Sequence, residues 1–181
     1  MDQRSLRNFA LVALLSVAVL ILASAFLLPH SFFANTVSTT DKNGAKEALS
    51  LLKDWAVWMA GIQTATIAAL GLLAKDGAPT LKLTAVQSRL AVLVALFNTL
   101  ALFFSAWLLT SLSSLMLRVY QEGRLNFDFY NWPLYAYMEH TPSMKVFTVG
   151  FFAFWNHWLW GIGILLFGAF SISMIGRHRE T

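Results

Sequence analysis

The chain contains no cysteine. Disulfide frameworks, thiol redox chemistry, Cys-ligated zinc and iron–sulfur clusters are therefore excluded. Charge is scarce too. Asp, Glu, Lys and Arg make up 12% of the 181 residues, against about 25% in soluble domains, too few to solvate a surface. The HExxH, GxSxG, Walker and GxGxxG patterns that would announce a zincin, hydrolase, nucleotide or dinucleotide site are also missing.

What is present is apolar. Hydrophobic residues reach 57%, with 15 Phe and 7 Trp, which excludes disorder as firmly as it excludes a soluble globule. A membrane-crossing helix needs about 20 mostly apolar residues. Four runs qualify, residues 9–28, 55–74, 90–117 and 146–175, and none of them holds Asp, Glu, Lys or Arg. The expected fold is an all-α integral membrane protein, a four-transmembrane-helix bundle with a small ordered aromatic-rich extracytoplasmic cap. As one membrane domain, it divides into helices at 9–28, 49–74, 84–118 and 142–175. These are joined by an outer loop at 29–48, an inner loop at 75–83 and the cap at 119–141, with an inner tail at 176–181. Residues 1–28 resemble a secretory leader, with Arg4 and Arg7 before the run and Ala23-Ser24-Ala25 near its end. The run reaches full spanning length, so retention as the first span is expected.

Punctuation agrees with these spans. Pro29 closes the first helix, and Asn43-Gly44 marks a turn before the second. Asp76-Gly77-Ala78-Pro79 stops the second. Thr141-Pro142 reads as an N-cap and first helical proline for the fourth, and Asn131-Trp132-Pro133 as the start of a short cap helix.

The few charges orient the chain. Segments 1–7, 75–89 and 176–181 hold seven basic residues in 28, whereas 29–54 and 118–145 hold six in 54. The richer side is expected to be cytoplasmic, with both termini there, in a bacterial inner membrane. The acidic residues leave +4 on that side and zero on the other. The basic excess thus reads as topology and contact with anionic lipid, not as nucleic-acid binding. Measured along each helix at 1.5 Å per residue, Trp55, Trp58, Trp107, Trp155, Trp158 and Trp160 all lie about 26–33 Å from the nearest inner basic residue. That is the expected place of an outer aromatic belt.

Uncharged polar residues inside the spans are the candidate functional positions. They are Gln63, Asn98, Ser105, Thr110, Asn156 and His157. Asn98, Ser105 and Thr110 share one sector of the third helix with Gln87, Ala91 and Ala95, opposite Leu, Val and Phe. This sector either packs or lines a pore. On the second helix Ala60, Thr64, Ala68 and Gly71 form a small-residue face, with Gly61, Ala65 and Ala69 as a second row. Such rows let helices approach closely, and two of them exceed what one neighbour needs. His157, flanked by tryptophans, could titrate near physiological pH. With His30, Asp128, Glu139 and His140 it is the one constellation that could make a metal or acid–base site in the cap.

These features point to a non-enzymatic membrane protein without cofactor or metal, acting by helix-mediated assembly. Its partners would be the lipid bilayer and a second copy or another membrane protein, as complex subunit or sensor. The alternatives are a channel-like oligomer, as in a bacterial stress or defence effector, an immunity-type protein, or an enzyme or metal site in the cap.

Overall fold

A computed structural model describes residues 3–33, 41–76, 83–121 and 128–175 of the chain. Four long helices carry it: α1 (Gln3–Leu27), α3 (Lys42–Asp76), α4 (Ala85–Gln121) and α6 (Val149–Ile175). All four are long and apolar enough to cross a membrane. Between them lie two short helices, α2 (His30–Phe33) and α5 (Ala136–Glu139), and two 3-10 turns at Phe129–Asn131 and Pro142–Met144. The protein is an all-helical, multi-pass membrane protein in contact with the lipid bilayer.

Local chemistry sets where each helix starts and stops. Leu28 makes the last backbone bond of α1, to Ser24 O at 3.1 Å, and Pro29 has no amide to continue it. At the head of α3 the Asp41 carboxylate accepts from the amides of Asn43 and Gly44, at 3.1 and 3.2 Å. Asn43-Gly44, expected to be a turn before the helix, is thus its first turn, because Asp41 satisfies amides that have no intrahelical partner. The α4 N-terminus is a reciprocal capping box. The Thr84 amide donates to Gln87 Oε1 at 3.0 Å, and the Gln87 amide to Thr84 Oγ1 at 3.2 Å.

The fourth span departs from expectation. Thr141-Pro142 opens a 3-10 turn rather than the helix, and α6 begins at Val149. Its cap is Thr148, whose hydroxyl accepts from the Phe151 amide at 3.3 Å. Residues 147–148 are drawn out instead by pairing with the cap. The Leu134 amide donates to Phe147 O, and the Val149 amide to Trp132 O. That pairing also explains why Asn131-Trp132-Pro133 starts no helix: Asn131 ends a 3-10 turn, and Pro133 forms a lone antiparallel bridge with Thr148. The expected stop at Gly77-Ala78-Pro79, residues 34–40 of the first outer loop, Arg124 and the tail lie outside the described residues.

α4 is the axis of the bundle. It packs along its length against α6 on one side and α3 on the other, whereas α1 lies more loosely against it. Much of α1 is consequently bare, with Val12, Leu15, Val19 and Leu27 all exposed. At the cap end the core is aromatic. Trp107 stacks on Phe152 at 5.7 Å, and Phe33 meets Phe151 edge-on at 5.2 Å. A methyl group at Gly150 would collide with the Phe33 carbonyl oxygen and lie 3.1 Å from that of Tyr130. Glycine is what lets α2 and the cap sit on the first turn of α6.

Cations on aromatic faces tie α3 to the last turn of α4, and α4 to the cap. Lys46 Nζ lies 4.4 Å above the Tyr120 ring, and Lys42 Nζ donates to the Tyr120 carbonyl at 3.3 Å. The buried Arg118 guanidinium lies 5.9 Å from the Trp132 ring.

Candidate functional site

Three spans contribute one polar side chain each to a single point in the interior. Gln63 comes from α3, Ser105 from α4 and Asn156 from α6, and all three are fully buried. Gln63 Nε2 donates to Asn156 Oδ1 at 3.0 Å. Asn156 Nδ2 donates to Ser105 Oγ at 3.0 Å, and Ser105 Oγ donates to Gln63 Oε1 at 3.2 Å. The three bonds close a ring in which every member both gives and accepts. Such a ring polarises itself, and in a low dielectric it strengthens accordingly. Amides do not take a proton from a serine, so Ser105 lacks the neighbouring base that activates a nucleophile. The ring orients helices and performs no acid–base step.

Two turns along the same seam lies Asn98, also fully buried. Its Nδ2 donates to the Val94 carbonyl of its own helix at 2.9 Å, but its Oδ1 has no partner. Facing it is Gly163 of α6, where an added methyl group would lie 2.6 Å from Asn98 Nδ2. The glycine clears room for the amide without answering its carbonyl.

The other candidates separate from this interior. Thr110 is exposed, and its hydroxyl bonds the Tyr135 hydroxyl at 2.8 Å, tying the cap to α4. His157 is exposed beside the Trp160 ring, 6.0 Å away. His140 is exposed in the cap, and the side chains of His30 and Glu139 lie outside the described set. No group of three or more His, Asp or Glu side chains comes together among the described residues.

Trp58 and Trp158 are exposed, as lipid-facing belt residues would be, and Trp55, Trp107 and Trp160 are half-buried. Trp155 turns inward instead, donating from Nε1 to Ser24 Oγ at 2.9 Å. That bond fastens α1 to α6. Most small residues of α3 face away from the fold: Gly61, Thr64, Ala65 and Ala68 are exposed, and Ala60 and Ala69 are half-buried, whereas Gly71, also exposed, borders a cavity among the spans. The face of α3 that packs carries Leu49, Leu52, Ala56, Met59 and Gln63.

Two apolar cavities lie among the described residues. One, of about 430 Å³ beneath the cap, lies between α1, α4 and α6 and is lined by Ala18, Phe103, Trp107, Tyr137, Met144 and Phe152 among others. The second, of about 400 Å³ at the opposite end of the bundle, is bordered by all four spans.

Sequence reasoning did not single out Ser24 or Thr148 and did not pair Asn98 with Gly163. A signal for the pairing was present: Asn98 and Ser105 are seven residues apart, as are Asn156 and Gly163, so two antiparallel helices can match both positions at once. The fold and site together define an integral multi-pass membrane protein with a hydrogen-bonded polar cluster between three of its spans. No family model matches the chain, and neither the curated proteins nor the solved structures yield a match.

Proposed function

We propose that this chain is a non-enzymatic protein of a bacterial inner membrane, with both termini cytoplasmic, that works by assembling laterally with a second copy through α3. One observation supports this reading above the rest. The fold leaves the small-residue rows of α3 uncovered while burying its opposite face, and nothing lies within 4 Å of a methyl group built at Gly61. In lipid, such rows are where backbones come together, through van der Waals packing that bulky side chains would prevent. A role as subunit or sensor of a larger complex uses the same face with a different partner. The channel-like reading draws less support, since Ser105, Asn156 and Gln63 are fully buried and bond one another.

The absence of native cysteine makes the test clean. Ala65→Cys in native membranes should give an oxidatively linked dimer, while Val19→Cys on bare α1 should not. Gly61→Leu added to Ala65→Cys should abolish the link. Equal crosslinking at positions 65 and 19, with a monomeric mass and no co-purifying partner in mild detergent, would sink the assembly reading.

A further inference from the structure

The cavity at the basic end of the bundle has no part in that reading. It extends from Leu83, just before α4, over several turns of that helix to Ala95, and takes Leu6 from α1, Ile67 and Gly71 from α3, and Phe170 from α6. The space exists because α4 presents Ala91 and Ala95 there and α3 presents Gly71, side chains too short to reach α1. At about 400 Å³ it falls within the range of small-ligand sites, about 300–1,000 Å³. Ser88 supplies one hydroxyl and the remaining walls are apolar. A water there would lack the two to four polar partners it needs, so the cavity suits a hydrocarbon chain.

Basic residues adjoin its lining along the chain. Ser88 and Leu6 line the cavity, and the next residues along the chain, Arg89 and Arg7, are both exposed. The Arg89 guanidinium lies 5.6 Å from the Phe9 ring, held at the edge of the bundle where α1 and α4 meet.

We propose that the cavity at the basic end is a binding site for one anionic phospholipid. An acyl chain enters between Gly71, Ala91 and Ala95, and the phosphate is held by Arg7 and Arg89. Guanidinium suits this task because its fork of N–H groups matches phosphate oxygens two at a time. The proposal does not rest on assembly: its residues lie on the inner third of α3, away from Gly61 and Ala65.

The test is native mass spectrometry of the full chain exchanged into detergent micelles holding equal phosphatidylglycerol and phosphatidylcholine. The wild type should retain one phosphatidylglycerol at least fivefold over phosphatidylcholine, counted per protomer whatever the oligomeric state. Arg7→Ala with Arg89→Ala should abolish that preference, and Arg7→Lys with Arg89→Lys should recover part of it. Ala95→Phe, which fills the cavity and leaves both arginines, should reduce retention of either lipid at least fivefold, with the thermal midpoint showing that it folds. Inorganic phosphate at tens of millimolar should not displace the lipid. Equal retention of the two lipids, a preference that survives loss of both arginines, retention unchanged in a folded Ala95→Phe chain, or displacement by phosphate would each overturn the proposal.

Discussion

Asn98 and Asn156 are the same residue type, both fully buried and both on the seam between α4 and α6, yet their situations are opposite. Asn156 sits in a closed ring, its carbonyl answered by Gln63 and its amino group by Ser105. Asn98 meets a glycine, and its carbonyl oxygen has no partner. The difference lies in the third helix. At the Ser105 level α3 supplies Gln63, so three spans share the hydrogen bonding; at the Asn98 level the facing residue of α6 has no side chain to offer. A polar residue in a span is therefore no measure of its own stabilising value. What counts is whether its neighbours complete the set, because an unanswered buried carbonyl costs about 1–3 kcal/mol whereas a satisfied interhelical bond contributes about 0.6 kcal/mol on average.

This contrast can be broken by substitution. The largest effect belongs to Asn156→Leu, which leaves Gln63 Nε2 without its acceptor and takes from Ser105 Oγ the donor it accepts from. A loss of about 2 kcal/mol is expected, read as an earlier midpoint in a detergent-unfolding titration. A loss no greater than that of an exposed change such as Val19→Ala would mean the ring does not hold the three spans. Gly163→Ala comes next. Its methyl group needs the space of a fully buried amide, and about 1–2 kcal/mol is expected from the overpacking. Adding Asn98→Ala should restore most of the loss, and a cycle in which the two changes simply add would show that they do not touch. The smallest effect is that of Asn98→Ala alone. It gives up one bond to Val94 but also removes the unpaired carbonyl, so stability should stay within about 1 kcal/mol of the wild type. A loss matching that of Asn156→Leu would erase the distinction between the two levels.

How much of this was legible beforehand depends on the range of the signal. The four spans could be read because absence of charge over about 20 residues is a property of each segment alone. The sector joining Asn98 and Ser105 could be read too, since 100° per residue places them on one face. Their separate fates could not, since these depend on which residues of α3 and α6 arrive at each level. The start of α6 illustrates the same limit. Thr141-Pro142 has the local chemistry of a helix start, and residues 142–144 do turn there, but pairing between 132–134 and 147–149 holds the next residues extended and moves the helix to Val149. Trp155 lies at belt depth by counting, and its inward turn follows from Ser24 on a helix 131 residues away.

The sequence by itself determined the solvent, the number of apolar helices and which faces of them are polar or small. Those properties follow from composition and from hydrogen bonds made within each helix. Only the tertiary structure decided that Gln63, Ser105 and Asn156 meet while the Asn98 carbonyl goes unanswered. It also decided that most of the small residues of α3 stay bare and that an apolar cavity opens among the four spans. Those outcomes depend on the register between helices, which is set by packing over the whole length of α4 and is not written in any one segment.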